Sequence, residues 1–203
     1  MIKSSTLKLL PTAMSIDRAE LPVTESKGVD LTQHDRRQLH EHGWLSLSVA
    51  TENLDSFLAA MLELANVLGR VIGSQKTSRG IDVLRPVSSE LATRPSLSRK
   101  YGLGQQPWHM DMAHKIDPAR FLVMGMYDCH VDVAPTELLD GRTFMESEAA
   151  TDMQSEPFLF RCGSGSFYGT ILSKARSFVR FDPGCMEPVA DSGKALLHLL
   201  VQQ

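Results

Sequence analysis

The chain has 203 residues, a length that suits one domain able to bury a sizeable core. Apolar residues make up 42% of the sequence and charged residues 22%, as is usual for a soluble globular protein. The formal net charge of -3, without any block of like charges, excludes a general affinity for nucleic acid, and no apolar run is long enough to cross a membrane.

The N-terminus and the cysteines indicate the cellular compartment. Residues 1–10 lack a sustained apolar core before Pro11, so they predict the start of a mature protein and not a signal peptide. The three cysteines, Cys129, Cys162 and Cys185, are odd in number and form no CxxC pair. This pattern argues against a disulfide framework and fits a reducing cytoplasm.

The first half of the chain predicts mainly helical structure. Residues 1–30 are polar and irregular, and they predict an arm over the surface or, in part, a strand. Apolar residues spaced three and four apart indicate helices in the region 31–107, and alternation of apolar and polar residues indicates strands. In chain order we expect a helix from Thr32 to His42 opened by a Thr32–Asp35 capping pair, a strand over 44–49, a helix over 53–71, a strand over 81–84, and loop with short helical turns over 85–107.

The second half, residues 108–203, predicts a strand-rich region that ends in an apolar helix over 192–203. Several short strands separated by turns suggest a sandwich or barrel, so the fold class is α+β, or a jelly roll with helices packed outside. The predicted strands are Trp108–Met112, Phe121–Cys129, Thr136–Leu139, Phe158–Cys162, Phe167–Leu172 and Ser177–Phe181.

The pair His109 and Asp111 is the main candidate for chemistry. In an extended segment, side chains at positions i and i+2 point to the same face, so this pair could supply two ligands to one metal ion. A carboxylate with two histidines forms the facial triad of non-haem Fe(II) oxygenases. Because H-x-D is a short pattern of common residues, its spacing alone favours a hydrogen-bonded structural pair at a strand end.

The surrounding motifs extend this pattern. They are Ser98 followed by Tyr101-Gly102, then Pro-Trp-His-Met-Asp over 107–111, Pro-Ala-Arg-Phe-Leu-Val-Met over 118–124, and Pro135-Thr136. In order and spacing, across roughly residues 40–200, the sequence resembles the taurine dioxygenase-like family of Fe(II)/2-oxoglutarate-dependent oxygenases, including its clavaminate synthase-like branch. The resemblance implies a single oxygenase-like domain over 1–203, folded as a double-stranded β-helix with flanking helices.

The resemblance also implies roles for individual residues. His109 and Asp111 match the first two iron ligands of the family, and Thr136 matches a threonine whose hydroxyl helps to hold a 2-oxoglutarate carboxylate. The family has a distal histidine as third ligand, followed by an arginine that pairs with 2-oxoglutarate. No residue here matches either one, so we expect a jelly roll that is incomplete at its C-terminus.

Three other histidines are candidates for further ligands. His198 is a substitute third ligand by type, but it lies on an apolar helix and closer to the H-x-D pair than the family pattern places that ligand. His130 could face the site or be structural, and His114 could line the site or be a solvated loop residue. Arg180 and Asp182 are interpreted as a structural pair without a catalytic role.

The expected function is that of an Fe(II)/2-oxoglutarate-dependent dioxygenase, which uses O₂ to oxidise, and in particular to hydroxylate, a small organic substrate. Fe(II) is the expected metal and 2-oxoglutarate the cosubstrate, and no side chain is assigned as a catalytic acid or base. The alternatives are a truncated, inactive family member and a cupin-like protein that binds a small molecule. Neither nucleic acid nor membrane is an expected partner, and a homo-oligomer stays open.

Overall fold

In the computed structural model the chain is described over residues 3–11, 24–26, 30–72, 80–93, 96–127, 136–162, 165–173 and 178–201. These residues form mixed α/β structure, with open, largely antiparallel sheets and several helices. They belong to two compact units, each assembled from two separate segments. Unit 1 combines Met1–Val83 with Arg120–Leu138, and unit 2 combines Leu84–Ala119 with Leu139–Gln203.

Unit 1 contains four described strands and two helices, which are β1 (Lys3–Pro11), β2 (Thr24–Ser26), α1 (Gln33–His42), β3 (Leu45–Thr51), α2 (Leu54–Leu68) and β4 (Phe121–Met126). The strands form one sheet in the order β2-β3-β1-β4. Strand β1 runs antiparallel to both of its neighbours, β3 and β4. Leu7 of β1 lies opposite Leu47 of β3 on one side and opposite Gly125 of β4 on the other. Strand β2 runs parallel to β3.

Local signals explain where α1 begins and ends. The Thr32 hydroxyl accepts a hydrogen bond from the Asp35 amide at 3.1 Å, and the Asp35 carboxylate accepts one from the Thr32 amide at 2.8 Å. This reciprocal pair satisfies amides that have no partner within the helix. At the other end, Gly43 adopts a φ of 80°, which is readily available to glycine. The predicted capping pair and helix end are therefore confirmed.

The core of unit 1 lies between α2 and the sheet. Asn53 caps α2 through a hydrogen bond from the Ser56 amide at 2.9 Å, close to the predicted helix start. The apolar face of α2 and the alternating apolar residues of β3 are buried together, as amphipathic periodicity requires. The buried members of this core are Leu31, Leu39, Leu45, Leu47, Val49, Phe57, Ala60 and Leu64.

Unit 2 contains three described strands and four helices, which are α3 (Leu97–Tyr101), α4 (Gly141–Met145), α5 (Ala150–Ser155), β5 (Phe158–Cys162), β6 (Gly165–Gly169), β7 (Met186–Pro188) and α6 (Asp191–Val201). The strands form an antiparallel sheet in the order β6-β5-β7. Its core includes Phe158 and Phe160 of β5, both 0% exposed, together with Leu196 and Leu200 of α6. The predicted strand at Phe158–Cys162 and the predicted C-terminal helix are therefore confirmed.

Several predicted strands are wrong. The described residues 81–84 and 136–139 form no strand. Val83 and Leu84 are 62% and 82% exposed, so this apolar run is not packed into a sheet. Residues 136–139 lead instead into α4, where the Asp140 carboxylate accepts a hydrogen bond from the Arg142 amide. Short apolar runs have no periodicity that separates a strand from a loop.

Other predictions hold only in part. Of the predicted arm, residues 3–11 and 24–26 form β1 and β2, so the strand alternative is confirmed there. The strand predicted at Ser177–Phe181 is reduced, in its described part, to one bridge between Val179 and Leu172. Helices α4 and α5 were not predicted. Within the described chain no helix has the length and apolar character needed to span a membrane.

The packing of α2 on β4 gives a test of unit 1. A Cβ atom added at Gly125 would lie 2.6 Å from the Phe57 ring and 2.6 Å from the Met61 sulfur, which is too close for non-bonded atoms. We expect Gly125→Ala to lower the free energy of unfolding by about 1–3 kcal/mol, because side chains must leave their packed positions. Urea denaturation followed by circular dichroism measures this loss.

Ala50→Val is the matched control, because Ala50 is an exposed position on β3, another strand of the same sheet. It adds side-chain volume where there is room, so its effect should stay within about 0.5 kcal/mol of wild type. If Gly125→Ala proves equally mild, α2 does not pack against β4 as described.

Candidate metal site

The two predicted metal ligands, His109 and Asp111, lie side by side in unit 2. The distance from His109 Nε2 to Asp111 Oδ1 is 3.9 Å. The two side chains are 32% and 51% exposed, so both are accessible to a solute. The structure therefore brings together one imidazole and one carboxylate at the surface, as the H-x-D pattern predicts.

This proximity does not arise from a β-strand, and the strand predicted at Trp108–Met112 is wrong. Residues 105–110 have no regular secondary structure, and residues 111–114 form a turn. The Ala113 amide donates to the Met110 carbonyl at 3.3 Å, and Met112 has a φ of 61°. Such a φ is uncommon for a residue other than glycine, which marks this turn as held by its surroundings. We call residues 107–116 the His-Asp loop.

A backbone carbonyl orients the His109 ring. His109 Nδ1 lies 2.9 Å from the carbonyl oxygen of Pro107. Because a carbonyl oxygen can only accept, Nδ1 must carry the proton and donate. In the neutral ring the lone pair is then on Nε2, the atom beside the Asp111 carboxylate. Metal-binding histidines are commonly oriented in this way by a bond from the other ring nitrogen.

The His-Asp loop is anchored on its inner side. The Met110 amide donates to the Phe181 carbonyl at 2.6 Å. Met110 is 7% exposed and Ala113 is 0% exposed, so both are fixed in the interior of unit 2. The residues between these anchors are constrained, and His109 and Asp111 are left facing solvent from a backbone that is held in place.

Arg180 forms a second set of anchors. This side chain is 5% exposed. Its Nη1 donates hydrogen bonds to the carbonyl of Ala113, at 2.5 Å, and to the carbonyl of Lys115. Its Nη2 donates to the carbonyl of Ile116 at 3.0 Å. Hydrogen bonds from a charged donor are stronger than those between neutral groups. Arg180 therefore has a structural role through the carbonyls of the His-Asp loop, whereas its predicted pairing with Asp182, whose carboxylate accepts from the Gly184 amide, stays a prediction.

The donor set fits a divalent transition metal at two coordination positions. Neutral imidazole nitrogen and carboxylate oxygen are ligands of Fe(II), Zn(II) and related ions. Ligands at about 2.1 Å from one ion and about 90° apart are separated by about 3 Å, so only a small side-chain rotation is needed from the observed separation. Among the described residues no group of three or more His, Cys, Asp or Glu side chains could hold a metal ion.

The remaining predicted site residues are placed as follows. Thr136 is exposed and belongs to unit 1, so its role toward a ligand at His109 and Asp111 stays a prediction. His198 lies exposed on α6. His130 lies outside the described residues.

His114 is half-buried at the end of the turn that follows Asp111. Burial lowers its pKa from the usual value, and the charge of Lys115 lowers it further. The carboxylates of Asp182 and Asp111 act in the opposite direction and favour the protonated ring, but they do not outweigh burial. His114 is therefore neutral near pH 7 and adds no positive charge beside the pair.

Sequence reasoning missed the two groups that hold the site, the Pro107 carbonyl and the Arg180 guanidinium. The proline carbonyl carries no sequence signal of its own, because any residue at position 107 supplies the same oxygen. Arg180 is separated from its loop partners by more than 60 residues, so no local pattern connects them. An arginine between apolar residues 179 and 181 was the only available hint of a buried cation.

Comparison of the chain with protein-family models, with curated proteins and with solved structures finds no match.

The lowered pKa of His114 predicts a pH-dependent stability. Because the unfolded chain binds this proton at a higher pH than the folded chain does, protonation favours unfolding. The stability is fully present above the unfolded pKa, at about pH 6.5, and is lost as the pH falls through the lower folded pKa. His114→Gln should therefore reduce the loss of stability on acidification, measured as the urea midpoint against pH.

Gln105→Ala, at an exposed position of the same unit that does not titrate, is the control and should leave the pH profile close to that of wild type. Identical profiles for His114→Gln and wild type would contradict the burial of His114.

Proposed function

We propose that this chain is a cytoplasmic Fe(II)/2-oxoglutarate-dependent dioxygenase of the taurine dioxygenase-like type, acting on a small organic substrate. The proposal includes a jelly-roll arrangement of the strands, for which the open antiparallel sheets supply a coarser basis. The observation that carries it is the His109 ring, oriented by the Pro107 carbonyl with Nε2 beside the Asp111 carboxylate. This arrangement presents an imidazole nitrogen and a carboxylate oxygen together to solvent, as two metal ligands require.

In this function, His109 Nε2 and a carboxylate oxygen of Asp111 bind the metal ion. The Pro107 carbonyl accepts a hydrogen bond from Nδ1–H, so that in the neutral ring the lone pair is on Nε2. Bound Fe(II) and 2-oxoglutarate would supply the activation of O₂ that the oxidation requires. The Thr136 hydroxyl is proposed to donate to a carboxylate of 2-oxoglutarate.

The exposure of His109 and Asp111 is consistent with a metal ion that is bound partly by the protein and partly by the cosubstrate. At 32% and 51% exposure, the two side chains leave one side of a bound ion open to a chelating cosubstrate. Two oxygen donors from 2-oxoglutarate would occupy positions that the protein leaves unfilled. The chain's own contribution is to fix two ligands on an anchored loop.

An anaerobic titration tests the proposal. Wild-type protein with Fe(II) and 2-oxoglutarate should develop the visible charge-transfer absorption of a chelated complex. His109→Ala and Asp111→Ala should each weaken Fe(II) binding by more than the roughly 10–100-fold that loss of an outer-shell partner costs, because each removes a direct ligand. The apparent Kd from the absorption change is the measured quantity.

His40→Ala is the matched control, since His40 is an exposed histidine on α1 of unit 1. Its titration should follow that of wild type. An absent absorption band in wild type, or an unchanged band in His109→Ala, would show that the pair does not bind iron.

A second candidate is a catalytically inactive family member or a cupin-like protein that binds a small molecule. The observation in its favour is that the described residues offer two metal donors together and not three. Release of CO₂ from 2-oxoglutarate after admission of O₂ separates the two functions. Turnover that depends on His109 supports the dioxygenase, whereas tight Fe(II) binding without CO₂ release supports the binding protein.

A further inference from the structure

The Arg180 guanidinium lies between the sheet of unit 2 and the His-Asp loop. Its central carbon is 5.3 Å from the ring centroid of Phe160 on β5, 4.9 Å from that of Phe167 on β6, and 5.1 Å from that of Phe178. These distances fall within the range of cation–π attraction. Phe160 and Phe167 also stack on each other with centroids 5.4 Å apart. Arg180 is therefore held by rigid parts of the sheet.

The guanidinium also contacts a short stretch of the described chain. Its three carbonyl partners belong to residues 113–116, which begin two positions after Asp111. The residue after Arg180 accepts the hydrogen bond from the Met110 amide, one position after His109. The backbone on both sides of Asp111 is consequently fixed to residues 180–181.

We propose that Arg180 is a positioning residue for the metal site, which sets the affinity for the metal by holding the His-Asp loop in its binding geometry. This inference rests on the proposed function. Without the guanidinium, three backbone carbonyls in or near the interior lose a charged donor, and the turn with its left-handed Met112 loses the contacts that stabilise it. His109 and Asp111 would then have to be ordered by the metal ion itself, which weakens binding.

Lysine cannot replace this arginine at full strength. The guanidinium is planar and carries five N–H donors in a fixed fork, so two of its nitrogens reach different carbonyls while its faces contact aromatic rings. An ammonium group concentrates its donors at one point and lacks a flat face. Arg180→Lys therefore keeps the charge and removes the geometry that the proposal requires.

The experiment is a titration with Co(II), whose visible absorption reports binding without 2-oxoglutarate or O₂. We expect Arg180→Lys to raise the Kd about tenfold or more over wild type, at temperatures where circular dichroism shows both proteins folded. Phe167→Leu is a milder variant, which removes one ring from the guanidinium but keeps an apolar side chain. It should raise the Kd about threefold.

Leu200→Ala provides the matched control for general destabilisation. Leu200 is buried in the same core of unit 2, on α6, and is not among the residues that contact the guanidinium through the bonds and rings described above. It should lower the urea midpoint of unfolding and leave the Co(II) affinity of the folded protein unchanged. A merely structural Arg180 would behave in the same way as Leu200.

Hydrogen exchange gives an independent readout. In Arg180→Lys and in Phe167→Leu, the amides of residues 110–116 should exchange faster than in wild type. The amides of α6 should stay as protected as in wild type in these two variants, and should lose protection in Leu200→Ala. If neither variant changes Co(II) affinity while wild type binds Co(II), the positioning role of Arg180 is refuted and the metal site stands. If wild type binds no Co(II), the proposed metal site fails, and the positioning role fails with it.

Discussion

A buried guanidinium is the constraint on which unit 2 depends. Its five N–H groups cannot be removed from water without partners, because an unsatisfied buried charge is strongly unfavourable. At Arg180 partners come from two sources, the carbonyls of residues 113–116 and the faces of three phenylalanine rings. The guanidinium of Arg180 therefore has partners for its N–H groups and faces only when both the packed aromatic sheet and this turn are formed. The sheet and the turn consequently form together.

The same contacts of Arg180 fix the backbone that carries His109 and Asp111. Met110 and Ala113 are buried beside the exposed His109 and Asp111, so fixing the inner residues leaves the outer ones exposed. A strand would place Ala113 on the same face as His109 and Asp111, because its side chains alternate with a two-residue period, whereas in the turn Ala113 is buried. The turn achieves the proximity with one backbone hydrogen bond to Phe181 and the contacts of Arg180. Binding groups are frequently placed on loops that a rigid scaffold positions, and this loop follows that rule.

Sequence analysis succeeded where the determining physics is local. The capping pair of Thr32 and Asp35, the periodicity of α2 and the aromatic strand at Phe158–Cys162 are each specified by neighbours in the chain. Local signals did not determine Trp108–Met112, where the alternation of apolar and polar residues predicts a strand, because the Met110 amide bonds to the distant Phe181 carbonyl. The turn that follows is bound by Arg180, about 65 residues away in the chain. The proximity of His109 and Asp111 was predicted for the wrong backbone, and their place beside Thr136, together with the jelly roll, stays a prediction.

The small number of protein ligands has a consequence for how the proposed site would bind. With two donors from the chain, most positions around an ion are filled by water or by a chelating cosubstrate. The bidentate contact from 2-oxoglutarate would then contribute a large share of the total affinity for the metal ion. By thermodynamic linkage, the metal raises the affinity for 2-oxoglutarate by the same factor as 2-oxoglutarate raises the affinity for the metal. If the loop geometry sets the affinity for the metal as proposed, the buried guanidinium would influence both affinities, although it lies behind the loop and its neighbours keep it from solvent.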